Sequence, residues 1–448
     1  MTTAPIPPTI DPRPDERTPI HLRTTEAFQR LVRLEQSDSL SARIASQFLG
    51  TDETQHHFLW YGELRTALLY GALDRFLEKR GWTVAGCLGF SSHRPGREEI
   101  VRPEIKSLGL GEGLWLEAPT NLQVFITRGE QRAVVSFSDE GTPARYISVG
   151  ILHRDTQPEL LDDWRRHARF FNSLRGRKLL ADGRLAPRRE NAEDGRLFLS
   201  AAVREKIDRA VRRFTSPAAQ RVGLRRRAGL ILSGPPGTGK SSIGRELAEK
   251  LRCTFLWATP GDFEEPLDVE ELFELARWLE PTVIFLEDLD LIAESRERYS
   301  SGNALLGALM NQLDGTPGDR PILTIATTNR LGVVEEAVSR PGRFDQILRI
   351  EPPDADSRRE LLAHRLRKAE VATEDLEWAV GELDGATGAE IEEVASGALA
   401  ASVLEHEDTA TEPAAEAPFR VCRAHLREAL ESVARPSEHR AVGFGKEG

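Results

Sequence analysis

Apolar and polar positions divide the chain into stretches of different periodicity. Between residues 25 and 82 apolar residues recur at helical spacing, most clearly at Leu64, Leu68, Leu69, Ala72, Leu73 and Phe76. Residues three and four apart share one face of a helix, so this spacing predicts an amphipathic helix that ends just before Gly81.

Short apolar runs replace the helical spacing further along, at residues 114–116, 122–126, 133–137 and 146–151. Turn-forming residues such as Gly129 and Gly141 separate them. Runs of this length between turn signals predict an antiparallel meander. A helix over about residues 158–171 is expected to close this unit.

Apolar strands and helical stretches then alternate, with strands expected at residues 229–232, 254–257, 282–286 and 322–327. This alternation predicts a parallel sheet covered by helices on both faces. After Pro352 and Pro353 the pattern is helical throughout. The predicted fold class is therefore α/β, with a doubly wound parallel sheet and a C-terminal helical lid, preceded by a separate α+β domain.

The same changes of pattern give the expected domain boundaries. Residues 1–24 are rich in proline and are predicted to be a disordered tail. An α+β domain is expected over 25–180, a basic and turn-rich linker over 181–196, the large α/β domain over 197–352 and the lid over 353–448. An acidic loop at residues 406–418 is expected to interrupt the helices of the lid.

Composition narrows the class of protein. The 448 residues are 40% hydrophobic and 29% charged, without an apolar run long enough to span a bilayer and without a signal-peptide core at the N-terminus. The three cysteines lie far apart, as expected for free thiols in a reducing cytoplasm. A formal net charge of −11 argues against a protein whose main task is to coat nucleic acid.

The most specific motif follows the apolar run Leu230-Ile231-Leu232. It has the pattern G-x-x-x-x-G-K-[ST] and consists of Gly234, Pro235, Pro236, Gly237, Thr238, Gly239, Lys240 and Ser241, with Ser242 opening the next helix. Glycines let backbone N–H groups surround phosphate oxygens, and the helix dipole points at the same place. Lys240 is expected to contact the β- and γ-phosphates of ATP, and Ser241 to bind Mg²⁺.

Polar side chains end the next two strands. Glu287 and Asp288 follow the buried run at 283–286, and Asn329 follows the run at 322–327. A strand end beside a phosphate loop is where Mg²⁺ and the attacking water are held, so these residues are candidates for that chemistry. Arg340 and Arg343 lie in a turn beyond them and are candidates to stabilise the transferring phosphoryl group, from the same chain or from a neighbouring copy.

These elements, in this order, resemble the AAA family of ATPases over about residues 197–444. The resemblance implies ATP hydrolysis with Mg²⁺, Asn329 as a sensor of the γ-phosphate, and Arg340 and Arg343 as fingers that act on a neighbouring subunit. Such fingers imply a homo-oligomeric ring, a hexamer or a heptamer. The segment 385–391 is similar to the start of the family's lid helix, and Arg435-Pro436-Ser437 with Gly443-Phe444 to its closing segment.

Two features depart from the usual family pattern. The family order is Asp then Glu, whereas this chain has Glu287, on the metal side, before Asp288, the candidate base. The same order occurs in the subgroup that resembles the mitochondrial translocase of the Rieske iron–sulfur protein. That subgroup also carries, before the phosphate loop, a segment comparable with residues 223–229 (GLRRRAG). Members of that subgroup carry an N-terminal membrane anchor, and none is expected here.

The second departure concerns the segment that grips a polypeptide in threading members of the family. The matching residues, 259–267, are short and acidic, and Phe263 is their only aromatic residue. We expect Phe263 to pack beneath the loop, so threading is less supported than switching of a whole partner.

Three functions remain open from the sequence. The first is a ring-forming ATPase that remodels, releases or translocates a protein partner bound through residues 25–180. The second is a nucleotide-gated scaffold or regulatory binding module in which hydrolysis is slow. The third, a motor directed to DNA, is the least supported because the chain is acidic.

Overall fold

A computed structural model describes residues 40–51, 55–94, 97–139, 146–153, 159–187, 199–216, 218, 221–222, 228–294, 302–315, 320–338, 340, 343–409 and 419–434. The chain forms two compact units. The first contains Met1–Ala186 together with Glu271–Thr282, and the second contains Pro187–Glu270 and Val283–Gly448. Four segments that the sequence singled out lie wholly or mostly outside the described residues. They are the predicted tail at 1–24, the segment before the phosphate loop at 223–229, the acidic loop at 406–418 and the closing segment at 435–444.

The first unit is built on an antiparallel sheet. Its elements are α1 (Leu40–Leu49), β1 (Gln55–Gly62), α2 (Glu63–Lys79), β2 (Thr83–Arg94), β3 (Arg97–Val101), β4 (Glu104–Gly109), β5 (Trp115–Arg128), β6 (Gln131–Ser138), β7 (Tyr146–His153), α3 (Glu159–Phe170) and β8 (Lys178–Leu180). The sheet runs in the order β1-β7-β6-β5-β2-β3, and β4 pairs with β5. The expected antiparallel meander is confirmed in β5, β6 and β7.

Helices α2 and α3 pack together and against this sheet. The indole of Trp164 on α3 donates a hydrogen bond to the carbonyl of Leu69 on α2, at 3.0 Å. The ring of Phe137 on β6 meets the rings of both Tyr70 and Trp164 edge to face. The predicted amphipathic helix is α2, and Gly81 beyond its end has a left-handed φ of 71°.

The sequence-based description of the strands was wrong in two places. Residues 25–82 were expected to be helical, but β1 lies within them. The runs at 114–116 and 122–126 were expected to be two strands and form one, β5. Along β5 the neighbour changes, because β4 pairs with residues 115–121 and β2 with residues 123–127. Such long-range pairing is not encoded in local periodicity.

The second unit begins with a parallel sheet and its helices. The elements along this part of the chain are α4 (Ala201–Thr215), β9 (Ala228–Ser233), α5 (Lys240–Lys250), β10 (Thr254–Ala258), α6 (Pro266–Trp278), β11 (Thr282–Leu286), α7 (Leu289–Glu294), α8 (Gly302–Gly315), β12 (Ile322–Thr328), α9 (Leu331–Val338) and β13 (Gln346–Arg349). Most of α6, from Glu271 onward, and the first residue of β11 belong to the first unit. The strands of this unit follow the order β13-β9-β12-β11-β10. Strand β9 is parallel to both β12 and β13, which confirms the predicted sheet type.

Burial explains why these strands are continuous apolar runs. Every residue of β9, β11 and β12 is buried, as expected for a parallel sheet with helices on both faces. The polar residues that follow β11 and β12 are therefore placed by a rigid core at the carboxyl edge of the sheet.

A helical lid follows, with α10 (Ala355–Arg365), β14 (Ala369–Val371), α11 (Thr373–Glu382), α12 (Gly388–Thr409), β15 (Phe419–Val421) and α13 (Arg423–Ala434). Its helices share one apolar core, which includes Leu362, Ile391, Val394 and Leu426. The expectation of helices throughout is wrong at β14 and β15, which pair in parallel. Among the described helices of the chain, none is both long and apolar enough to cross a membrane.

Candidate functional site

The phosphate loop lies between the buried strand β9 and helix α5. Gly237 and Gly239 adopt φ angles of 79° and 88°, in the left-handed region that glycine enters without strain. Gly234 is required for a different reason, because a Cβ there would lie 2.1 Å from the carbonyl oxygen of Ile350. The three glycines of the loop therefore meet backbone constraints that other residue types would not.

A cavity of about 530 Å³ opens at the N-terminus of α5. The loop contributes residues 236–242 to its wall, and Asp288, Thr327 and Asn329 contribute from the carboxyl edge of the sheet. A volume in this range is typical of small-molecule sites. The structure thus brings the phosphate loop together with one of the two candidate acids and with the candidate sensor.

Lys240 is buried at the base of this cavity. Its ammonium donates hydrogen bonds to the carbonyl oxygens of Gly234 and Pro235, at 2.8 and 2.7 Å. These two loop residues do not line the cavity, but they hold the lysine beside it. Burial lowers the pKa of Lys240, and the charges of Asp288 and Asp290 partly oppose that shift. A cation held by neutral carbonyls can be transferred to a phosphate, which is a stronger acceptor.

Asp288 is the second residue beyond the end of β11 and has a left-handed φ of 46°. Its carboxylate accepts a hydrogen bond from the amide Nδ2 of Asn329 at 3.2 Å, and its backbone N–H donates to Thr327 Oγ1 at 3.0 Å. Burial raises the pKa of Asp288, and the charges of Asp290 and Glu287 raise it further. A carboxylate with a raised pKa is a better proton acceptor, as a general base requires.

The second acid, Glu287, is placed differently. Its backbone N–H donates to the carbonyl of Ala258 on β10, at 2.9 Å, and the residue is not among those that line the cavity. The predicted role of Glu287 at the metal therefore stays a prediction. Ser241 lines the cavity and supplies an oxygen ligand of the kind that Mg²⁺ takes, beside the negative charge of Asp288, so the residues present fit that ion.

A third acid, Asp290, was not assigned a role from the sequence. It is 1% exposed, and its Oδ1 accepts hydrogen bonds from Thr328 Oγ1 at 2.8 Å and from the backbone N–H of Asn329 at 3.2 Å. The guanidinium of Arg330 lies 3.5 Å from its other oxygen. Asp290 thus fixes the end of β12 that carries Asn329. Its position in the run Glu287-Asp288-Leu289-Asp290, two residues after the candidate base, is the sequence signal that could have revealed it.

The lid reaches the phosphate loop through the start of α12. The backbone N–H of Ala389 donates to the carbonyl of Gly237 at 3.1 Å, and Gly388 and Ala389 both line the cavity. Thr387 and Glu390 exchange hydrogen bonds as a helix cap, with Thr387 N–H donating to Glu390 Oε2 at 2.7 Å. The segment 385–391 therefore lies where its resemblance to a nucleotide-facing lid helix predicts.

The two candidate finger arginines have different environments. Arg340 is exposed. Arg343 is buried, and its guanidinium donates to both carboxylate oxygens of Asp314 on α8, with Nη2–Oδ2 at 2.9 Å and Nε–Oδ1 at 3.3 Å. Neither arginine lines the cavity of its own chain. A role in a neighbouring site remains a prediction for both residues.

The segment expected in place of a gripping loop is closely hydrogen-bonded. Asp262 accepts from the backbone N–H of Thr259 at 2.7 Å, and Asp268 accepts from those of Glu264 and Glu265 at 2.8 and 2.9 Å. Phe263 is 7% exposed, as expected for a residue that packs beneath the loop.

Comparison with known proteins identifies the central region. Residues 230–352 match the model of the ATPase family associated with various cellular activities (AAA). This match covers the phosphate loop, both candidate acids, Asn329 and both arginines.

Curated relatives match a similar region. The ATPase family gene 2 protein of Schizosaccharomyces pombe is 30% identical over 217 residues, which are 47% of this chain and 27% of that protein. The 26S proteasome regulatory subunit 8 homolog of the same yeast is 33% identical over 186 residues, 39% of this chain and 46% of the relative. The proteasome-activating nucleotidase of Pyrococcus abyssi is 32% identical over 188 residues, 40% of this chain and 48% of the relative.

The chain thus spans less than half the length of each of these three relatives. It contains an AAA ATPase domain with the P-loop α/β fold, which confirms the family resemblance and the fold class drawn from the sequence.

Proposed function

We propose that this chain is an ATP hydrolase that assembles into a ring and uses hydrolysis to remodel, release or translocate a protein partner bound by its first unit. The observation that carries the proposal is the meeting of Lys240, Asp288 and Asn329 in one cavity beside the phosphate loop. The phosphate loop with Lys240 can bind the phosphates of ATP, the carboxylate of Asp288 can accept a proton, and the amide of Asn329 can orient water. Together these groups meet the requirements of phosphoryl transfer to water.

In the proposed reaction, the phosphates of ATP lie at the N-terminus of α5, where loop N–H groups and the helix dipole favour negative charge. Lys240 exchanges its bonds to the carbonyls of Gly234 and Pro235 for bonds to phosphate. Mg²⁺, held by Ser241, would neutralise charge on the phosphate oxygens. Asp288 accepts the proton of the attacking water. Asn329 holds the carboxylate of Asp288 through its side-chain amide and orients the water.

The start of α12 links this reaction to a movement of the lid. The backbone of Ala389 already contacts Gly237 in the loop. A phosphate at the loop adds a charge next to the start of this helix, and release of phosphate removes it. The lid can therefore respond to the state of the nucleotide, in the manner of domain closure around a ligand.

The chain path supports coupling of hydrolysis to a partner of the first unit. Residues 271–282, which include most of α6 and the first residue of β11, belong to that unit although they follow β10 in sequence. Within it, Arg65 pairs with Glu274 at 3.4 Å and the ring of Tyr61 meets that of Trp278 edge to face. This segment runs straight into β11, whose end carries Asp288. A change in the first unit therefore has a short covalent path to the proposed base.

The ring and the trans-acting arginines rest on the family resemblance, and the exposure of Arg340 is consistent with a role across an interface. The proteasome-related names of two relatives are consistent with work on protein partners. The buried Phe263 favours action on a whole partner over the gripping of an extended chain.

Phosphate release from ATP tests the proposal. Lys240→Ala should abolish turnover, because the loop loses the cation that binds the phosphates. Lys250→Ala is a matched control, since it removes an exposed lysine at the other end of the same helix. Turnover by Lys240→Ala at the rate of the parent protein would contradict an ATP hydrolase at this site.

The scaffold alternative has one observation in its favour, the order of Glu287 and Asp288. The shorter Asp side chain stands at the position of the base, and a displacement of a base by about 1 Å can slow a reaction severely. If the chain is a nucleotide-gated scaffold, ATP should drive assembly while Asp288→Asn leaves an already slow turnover unchanged.

A further inference from the structure

The first unit contains a second cavity, of about 420 Å³, at the C-terminal ends of α2 and α3. Its lining is cationic and aromatic, and the functional site described above does not use it. The cavity lies wholly within the first unit, where the proposed function places the protein partner.

The lining carries an excess of positive charge. Among the described residues that line the cavity, Asp163 is the carboxylate, and it pairs with both Arg80 and Arg166. Lys79 adds a third cation, whose ammonium lies 5.5 Å from the ring centre of Phe171. Three cations against one carboxylate leave two positive charges. The side chain of Arg166 is 67% exposed, so its remaining donors are accessible to a ligand.

An imidazole in the cavity wall has a buried nitrogen without a partner. Nε2 of His167 has no hydrogen bond to any described part of the chain, and its ring centre lies 4.6 Å from that of Phe171. Burial lowers the pKa of His167, and the cations Lys79, Arg75 and Arg80 lower it further. Lys79, Arg75 and Arg80 thus place positive charge around this imidazole, and its buried nitrogen can be satisfied by a water molecule or by a bound group.

Aromatic rings extend the cavity toward solvent. Phe170 is 64% exposed and Phe171 40% exposed, which is unusual for adjacent large apolar side chains. The guanidinium of Arg175 lies 4.7 Å from the ring centre of Phe170. This edge offers apolar contact to a side chain next to a bound anion.

We propose that this cavity binds an acidic segment of a polypeptide, with a carboxylate paired to Lys79 and Arg166 and a neighbouring apolar side chain packed on Phe170. The inference rests on the proposed function only in taking this polypeptide as the partner on which the ATPase acts. Charge complementarity identifies the acidic group, and the exposed rings identify its apolar neighbour. A nucleic-acid strand needs a cationic groove that follows successive phosphates, whereas this cavity has room for one or two side chains.

Fluorescence anisotropy with the full chain tests the site. The probe is a short fluorescein-labelled peptide of alternating Glu and Phe residues, compared with the same peptide carrying Lys in place of Glu. We expect the acidic peptide to bind and the basic one not to bind. The double variant Lys79→Glu, Arg166→Glu should weaken binding by at least about tenfold, because it reverses both contacts. Arg102→Glu, which reverses an exposed arginine outside the cavity, should change affinity by less than about twofold.

Each other outcome would overturn the proposal. These are failure of the parent chain to bind the acidic peptide, equal affinity of the parent chain and the double variant, or tighter binding of an oligothymidylate of similar length. The milder pair Lys79→Gln, Arg166→Gln gives the same comparison if charge reversal prevents folding. Phosphate release without peptide is measured on the same samples. If the parent chain binds the acidic peptide but releases no phosphate from ATP, the proposed function is contradicted and the peptide site is not.

Discussion

The side-chain amide of Asn329 donates a hydrogen bond to the carboxylate of Asp288, with 3.2 Å between Nδ2 and Oδ1. The two residues follow the ends of β12 and β11. The backbone N–H of Asn329 is in turn bound to the buried carboxylate of Asp290. The proposed base and the amide proposed to orient water are thus fixed to each other and to the core of the sheet.

Removal of Asp290 should affect both stability and turnover. Asp290→Ala leaves Thr328 Oγ1 and the backbone N–H of Asn329 without their buried acceptor, so we expect a loss of about 2–4 kcal/mol in the free energy of unfolding. Turnover should fall because Asn329 is no longer held. Urea unfolding and phosphate release measure the two effects. Asp290→Asn, which keeps one acceptor oxygen, is the milder control, and parental stability of Asp290→Ala would contradict this role.

The raised pKa of Asp288 predicts a pH dependence of turnover. Burial, with the charges of Asp290 and Glu287, makes this carboxylate hold its proton to a higher pH than the usual value of 3.8. A base must be deprotonated, so turnover should fall with decreasing pH through a midpoint above 3.8. Phosphate release at saturating ATP across this pH range gives the midpoint. A midpoint at or below 3.8 would exclude Asp288 as the titrating group.

The same shift predicts a change in stability of opposite sign to the change in activity. Because the folded-state pKa is raised, ionisation of Asp288 costs stability above that pKa, and the cost disappears as the pH falls below 3.8, where the folded and unfolded forms are both protonated. Asp288→Asn should therefore melt at a higher temperature than the parent chain at pH 7. Thermal melts at pH 7 and near pH 3.5 should show this difference at the higher pH only.

Substitution of the two candidate finger arginines should have different effects on stability. Arg343 is buried and donates hydrogen bonds to Asp314, so Arg343→Ala removes a buried side chain together with these bonds and should lower the free energy of unfolding by about 1–3 kcal/mol. Arg340 is exposed, and Arg340→Ala should change it by less than about 0.5 kcal/mol. Chemical unfolding measures both values. Equal free energies of unfolding for the two variants would show that the Arg343–Asp314 pair does not stabilise the fold.

A mixing experiment tests whether Arg340 acts on a neighbouring copy. Lys240→Ala and Arg340→Ala chains should each be inactive alone. In mixed rings, an intact Lys240 from one chain can meet an intact Arg340 from the other, so mixing should restore part of the turnover. No recovery after mixing, with co-assembly shown by cross-linking, would contradict a shared site.

The sequence predicted those parts of the site that depend on local chemistry. Residues 234–242 are recognisable because a loop that binds phosphate needs glycines, a lysine and a hydroxyl at fixed short spacing. Asp288 and Asn329 could be proposed because carboxyl ends of neighbouring parallel strands lie at one edge of a sheet. The antiparallel meander of β5, β6 and β7 followed from apolar runs separated by turns.

Other features depend on pairs of residues that lie far apart in sequence. Arg343 pairs with Asp314, which lies 29 residues earlier in sequence, on α8. Strands β14 and β15 have three residues each, too few for a periodic pattern, and they pair across the whole length of α11 and α12. The second cavity combines Lys79 at the end of α2 with Arg166 on α3. No local pattern shows that these residues meet.

In the proposed function, Asp288 is the base of hydrolysis in a site that Lys240 makes able to bind ATP. The most direct test measures nucleotide binding and phosphate release for the parent chain, Lys240→Ala and Asp288→Asn, all with Mg²⁺. We predict that Lys240→Ala neither binds nor hydrolyses ATP, and that Asp288→Asn binds ATP with nearly parental affinity but turns it over at least about a hundredfold more slowly. Parental turnover by Asp288→Asn would contradict the account.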